Sequence, residues 1–328
     1  MINEHYLEML GHKSVIRELA EYAAVRGKEI GKENVFDFSL GNPSVPAPES
    51  FTDAAIRLLQ TEEPVRLHGY SPTLGIPSVK EKIAASLNRR FGMNYTAGHI
   101  FPASGCAGAV AHALRVVTKP GDKVLVQAPF FPEYIPYIND TGAQIEIIPA
   151  RFEDFQINFE ALEQMLQPGV AAILINSPNN PSGVAYTGET LEKLSSLLAA
   201  KSKELGYNLF LISDEPYREI AFGGREIPYP ARFYPHTLTC YSFSKSLSVP
   251  GERIGYVAVC PECEHAEDIV PMCGQISRGI GHNCPSSLIQ LAAAEAVDDT
   301  ADLSVYETNM ELLYEILRLY HDTAMQLQ

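Results

Sequence analysis

Long apolar runs are missing from this 328-residue sequence. The longest, VAAILI and LIQLAAAEAV, fall far short of the roughly 20 residues that a bilayer-spanning helix needs. A secretory leader is not expected either, because MINEHYLEMLGHKS carries charge from the outset and has no apolar core. Basic runs are absent: Lys and Arg number 25 against 40 Asp and Glu, for a net charge of −15. An acidic chain with interleaved charges is a poor partner for nucleic acid or an anionic membrane surface. Cysteine is scarce, six in all, which is no disulfide framework at this length and suits a reducing cytoplasm. No internal repeat or low-complexity segment interrupts the chain.

The cysteines also bear on metal. Cys260 and Cys263, in CPEC, make half of a zinc knuckle, and Cys273 and Cys284 could complete four ligands only at poor spacing. Free cysteines commonly pack as small apolar residues, so no metal site is expected, and Cys106 and Cys240 read as packing.

What is present is a globular composition, 46% apolar and 20% charged, long enough for one large domain and a smaller one. HYLEMLGHKSVIRELAEYAAVRG has apolar positions at helical spacing, and NVFDFSLGNPSVPAP reads as a short strand breaking into a loop. Strands and helices then alternate. DKVLVQAPF, QIEIIPA, VAAILIN, NLFLISD, LTCYSFS and GYVAVC read as strands. SVKEKIAASLNRRFG, GCAGAVAHALRVVT and TGETLEKLSSLLAAKSKELG read as helices, and the tail from Ser304 reads as one long helix. This order predicts an α/β protein, an α/β/α sandwich with a mainly parallel central sheet.

Polar residues cluster where those strands end, which is where open α/β sheets bind ligands. SPNNPSG follows VAAILIN, DEPY follows NLFLIS, and LTCYSFSK runs up to Lys245. Each has an ordinary explanation: turn formers, an N-capping aspartate, a solvated lysine. The small residues of ASGCAGAVAHAL open a helix whose free N–H groups suit a phosphate. Together they ask for one ligand. It bears a phosphate, for the helix start at Gly105–Ala107, for Ser242 and Ser244, and for the bidentate fork of Arg253. It bears a carbonyl with which Lys245 can condense and a basic ring nitrogen that Asp214 can keep protonated. Pyridoxal 5′-phosphate has all three.

LGNP from Leu40, YSPTLGIPSVKEKIA from Tyr70, SGCAGA, PFFPEY, NNPSG, DEPY and SFSKSLSVPGERIGY stand in this order between about residues 36 and 290. On these motifs the chain resembles the class I/II aminotransferases, aspartate-aminotransferase-like enzymes of pyridoxal-phosphate fold type I. The resemblance implies a homodimer that moves an amino group between an L-amino acid and a 2-oxo acid. Lys245 would hold the cofactor covalently and shuttle the substrate proton, and Asp214 would pair with the ring nitrogen. Tyr217 and Asn180 would bond the ring 3-oxygen. Ser242, Ser244, Arg253 and the start of the helix at Gly105, Cys106 and Ala107 would grip the phosphate. Phe131 looks like the aromatic that stacks on the ring. Tyr70 looks like the residue that reaches the phosphate of the neighbouring subunit. Gly41 and Asn180 would line the substrate site, and Arg278 falls where some aspartate-specific members place a basic residue.

The resemblance divides the chain into an N-terminal arm at 1–45, a cofactor domain at 46–290 and a helix at 291–328 leading to a small domain. The family's carboxylate-clamping arginine has no counterpart here, since Arg318 lies within that helix, so most of the small domain is expected to be lacking. A carbon–sulfur β-lyase on the same scaffold and a non-catalytic cofactor-binding remnant stay as alternatives. A transcription regulator would need a DNA-binding module, which the sequence does not offer. Three further motifs are set aside. GKEIGKE has its glycines too close for a P-loop, and the scattered histidines, His68 included, lack ligand spacing. SGCAG centres on cysteine, and no apolar strand is expected to lead into it.

Overall fold

The computed structural model describes residues 2, 4–11, 15–37, 39–282 and 284–326. Seven strands form one sheet: β1 Ile100–Ala103, β2 Lys123–Gln127, β3 Gln144–Ile148, β4 Val170–Asn176, β5 Phe210–Asp214, β6 Thr237–Ser242 and β7 Gly255–Val259. Their order is β1-β7-β6-β5-β4-β2-β3. Pairings from β3 across to β6 are parallel, and β7 runs antiparallel to both β6 and β1. The mainly parallel sheet expected from the apolar runs is observed.

The runs are nearly continuous because both faces are covered. Leu174 and Ile212 pack into one cluster with Ala109, Val110, Ala113 and Leu114 of the Gly105–Val117 helix. Their neighbours Ile173, Ile175 and Leu211 pack into a second cluster with Leu191, Leu194 and Leu198 of the Gly188–Leu205 helix. Alternate side chains of one strand therefore serve opposite layers.

Two expectations need correction. β1 was not expected, yet it leads through Ser104 straight into the Gly105–Val117 helix. Pro102 argues against a strand, but β1 sits at the sheet edge, where a proline is tolerated. The strand expected after Asn34 is absent among the described residues: Lys32–Asn34 form a short 3-10 turn and Phe36 is exposed. Phe38 lies outside the described residues. Residues Val15–Ile30 and Ser304–Gln326 are helices as expected; Leu327 and Gln328 are outside the described part. No helix among the described residues is long and apolar enough to cross a membrane.

Adjacent strands β4, β5 and β6 end at Asn176, Asp214 and Ser242, and the N-terminus of the Gly105–Val117 helix lies against β6 and β7. The fold thus gathers three strand ends and one helix start.

Candidate active site

Asp214 closes β5, in register with Asn176 of β4 and Cys240 of β6. Its carboxylate is buried and, among the described residues, meets only neutral donors. Cys106 Sγ donates to one oxygen at 2.5 Å, and the Tyr134 hydroxyl donates to the other. Burial pushes its pKa up to about 6, while those two hydrogen bonds pull the other way. A buried carboxylate with no cation beside it is costly, so this arrangement suits a positively charged partner.

Asn176 ties the next loop to this strand. Its Nδ2 donates to the Asp214 carbonyl at 2.8 Å, and its Oδ1 accepts from Asn180 N at 2.6 Å. Asn179 fastens the same loop, donating to Pro129 O at 3.2 Å and accepting from Ser182 N at 3.0 Å. Asn180 is thereby held beside Tyr217. Burial and the Asp214 charge push the Tyr217 hydroxyl up to about 12, against which the Asn180 hydrogen bond acts. Phe131 is half-buried and packs edge-on against Tyr134, ring centroids 5.7 Å apart.

Lys245 stands one turn beyond β6, in the short helix Phe243–Ser246. Its Nζ donates to the Gly41 carbonyl. Burial, and then the Arg253 charge, lower its pKa from the ordinary lysine value. A Cβ on Gly41 would stand 3.8 Å from that nitrogen, an ordinary van der Waals contact, so Gly41 lies directly beside the amine.

Arg253 adopts the left-handed conformation, φ 52°, and donates only to main-chain carbonyls, Pro250 O at 2.9 Å and Ser104 O at 3.5 Å. Among the described residues no carboxylate pairs with it. Gly105, φ 70°, presses against this guanidinium: a Cβ there would stand 2.6 Å from Nη2. Gly255 packs equally tightly, since its Cβ would collide with the Tyr241 carbonyl and lie 3.0 Å from the Gly105 carbonyl carbon. Ser104 caps the Gly105–Val117 helix without a side-chain hydrogen bond, so the N–H groups of Gly105, Cys106 and Ala107 have no cap. Ser242 and Ser244 are buried, and neither hydroxyl has a partner among the described residues. An unpaired guanidinium, uncapped helix N–H groups and two idle hydroxyls form a cradle that a Cβ would fill. This donor set fits a dianionic phosphate, and Asp214 fits a pyridinium, so the residues suit pyridoxal 5′-phosphate.

The structure brings together Lys245, Asp214, Tyr217, Asn180, Gly41, Arg253, Gly105 and Cys106. Tyr70 does not join them: it is fully exposed, beyond the short helix Pro64–His68. Arg278 is exposed in the last turn of the Ala266–Ile280 helix, and no hydrogen bond or ion pair links it to the cluster among the described residues. The Tyr134 hydroxyl, the Cys106 thiol and Asn176 are contacts of Asp214 that the sequence did not single out. Tyr134 lay inside the quoted PFFPEY, but only the fold reveals its partner. Cys260, Cys263 and Cys273 are buried in the apolar core, whereas Cys284 Sγ donates to Thr73 O at 2.9 Å. Among the described residues, no three His, Cys, Asp or Glu side chains are grouped to hold a metal.

The sequence profile of the family "Aminotransferase class I and II" matches residues 33–321. A probable aspartate/prephenate aminotransferase of Aquifex aeolicus is 32% identical over 249 residues, covering 74% of this chain. That match spans 60% of the Aquifex protein's own length. The solved structure of an aminotransferase from Eubacterium rectale superposes with a TM-score of 0.93 at 41% identity, covering 96% of this chain and 79% of that one. The aspartate aminotransferase of Thermotoga maritima superposes with a TM-score of 0.81 at 28% identity, covering 93% and 78%. The chain belongs to the class I and II aminotransferase family, pyridoxal-phosphate-dependent enzymes of fold type I.

Proposed function

We propose that this protein is an aminotransferase that moves an amino group between an L-amino acid and a 2-oxo acid, as a homodimer in the cytoplasm. The observation that carries the reading is the placing of the Lys245 amine beside Gly41, with buried Asp214 and the Arg253–Gly105 cradle at neighbouring strand ends. When bound, pyridoxal 5′-phosphate supplies a carbonyl that condenses with amines and a protonated ring that draws electrons from the amino-acid α-carbon.

Each residue then has a task set by its own chemistry. Arg253, Ser242, Ser244 and the N–H groups of Gly105, Cys106 and Ala107 neutralise and orient the phosphate. Asp214, which has no cation of its own among the described residues, would hold the proton on the ring nitrogen. Tyr217 and Asn180 would hold the ring's 3-oxygen, and Phe131 would pack against the ring. Lys245, its pKa lowered by burial and by Arg253, would take and return the proton at the α-carbon. Gly41, beside the Lys245 amine, would line the substrate site. Residues 46–290 form the cofactor domain in this reading, between an arm at 1–45 and the 291–328 segment. Exposed Tyr70 serves the phosphate of a second subunit, and exposed Arg278 serves an acidic substrate side chain. The names of the Aquifex and Thermotoga relatives support an acidic substrate.

The test is a single turnover. Protein loaded with pyridoxal 5′-phosphate and mixed with aspartate or glutamate, without acceptor, should release one 2-oxo acid per site and no ammonia. Ammonia released continuously would replace this reading with a lyase.

A further inference from the structure

Directly after Tyr217 stands Arg218, whose side chain is only 3% exposed. Its guanidinium donates to Glu215 Oε2 at 3.0 Å, to Glu219 Oε1 at 3.3 Å and to the Tyr256 hydroxyl at 3.2 Å. Three rings surround it, Tyr241 at 4.4 Å, Phe91 at 5.0 Å and Tyr229 at 5.6 Å from its central carbon. Arg90 pairs with the same Glu219 oxygen at 2.8 Å, and Tyr241 donates to the other at 2.8 Å. Two arginines and two glutamates are thus brought together beneath the site.

Stability is a weak reason for such a cluster, because well-packed apolar side chains of similar volume usually serve as well or better. What a buried hydrogen-bonded network does give is fixed geometry, and among the described residues three of its four carboxylate oxygens have partners while Glu215 Oε1 has none. The network's position is informative. Asp214 and Glu215 leave the end of β5 in opposite directions, Asp214 toward Cys106 and Tyr134, Glu215 toward Arg218. Tyr241 and Tyr256 are register partners on β6 and β7, immediately beside Ser242 and Gly255. One guanidinium therefore joins the segment bearing Asp214 and Tyr217 to the strands bearing the phosphate cradle.

We infer that Arg218 is a positioning residue that sets the spacing between the Asp214–Tyr217 end and the Ser242–Gly255 end of the cofactor site. The inference rests on the cofactor reading above. Removing the charge outright would strand Glu215 and Glu219 and endanger the fold. Two milder variants avoid this: Arg218→Lys keeps the charge but loses the planar fork, and Tyr256→Phe keeps both ion pairs but loses one hydrogen bond.

Each folded variant is titrated with pyridoxal 5′-phosphate, and the visible absorbance of the bound cofactor is followed against pH, with a melting curve alongside. Wild type that shows no bound-cofactor absorbance would refute the cofactor reading and this inference with it. With wild type loaded, Arg218→Lys is expected to bind about tenfold more weakly and to shift the absorbance midpoint by at least about half a pH unit. Tyr256→Phe is expected to shift both in the same direction by less. A purely structural arginine would lower the melting temperature and leave affinity and midpoint unchanged. That result in the folded variants overturns the inference, and Tyr256→Phe alone decides if Arg218→Lys does not fold.

Discussion

Tyr134 donates its hydroxyl to Asp214 across 80 residues of sequence, at the carboxylate oxygen that Cys106 leaves free. Burial drives this carboxylate toward its neutral form, and the two donors act against it. The charge that would hold a ring nitrogen protonated thus depends on a tyrosine and a cysteine in other parts of the fold.

Tyr134→Phe removes one hydrogen bond to the ionised form, so the Asp214 pKa should rise further above about 6. A hydrogen bond to a charged group contributes about 1.5–3 kcal/mol, so the shift should be about one unit or more. The acid limb of pyridoxal 5′-phosphate affinity against pH, which reports the cofactor-free protein, is expected to move upward accordingly, and an unmoved limb would count against the arrangement. Cys106→Ala should act in the same direction.

Asp214 also sets a pH dependence of stability in the cofactor-free protein. Its folded pKa of about 6 lies above its ordinary 3.8, so the folded state binds the extra proton between them. The group's contribution is therefore full below about 3.8 and is lost as pH rises through about 6. Asp214→Asn escapes this loss. Relative to wild type it should gain stability between pH ~4 and ~7, by up to about 3 kcal/mol. Denaturant midpoints at the two ends of that range check the sign.

Gly105→Ala strikes the phosphate end alone. Its new methyl group would stand 2.6 Å from the Arg253 guanidinium, in a left-handed backbone conformation that alanine disfavours. Affinity for pyridoxal 5′-phosphate should fall about tenfold or more, while binding of pyridoxal without its phosphate should change little. Comparing the two ligands by absorbance titration separates a damaged cradle from a damaged fold.

Much of this architecture was legible because the parallel strands bury both faces and so read as apolar runs, as β4 does at Ile173, Leu174 and Ile175. Lys245, Asp214 and Arg253 stand out in the sequence because such groups at strand ends need a common partner. β1 was hidden by its four-residue length and by Pro102, which only an edge position permits. The alternation around Phe36 imitated a strand, but the sheet edges are β1 and β3, and Phe36 remains exposed. Tyr134 and Arg218 could not be assigned from sequence because their roles come from partners on other strands and loops. That information resides in the fold, not in local pattern.

The central claim is that Lys245 is the residue that takes the cofactor. It is tested most directly by the intact mass of the protein with pyridoxal 5′-phosphate before and after borohydride reduction, with the modified peptide mapped. The expected result is one irreversible adduct per chain on Lys245, abolished in Lys245→Ala, which should keep its fold and hold the cofactor without a bond. Absence of an adduct, or labelling spread over surface lysines and unchanged in Lys245→Ala, would contradict it.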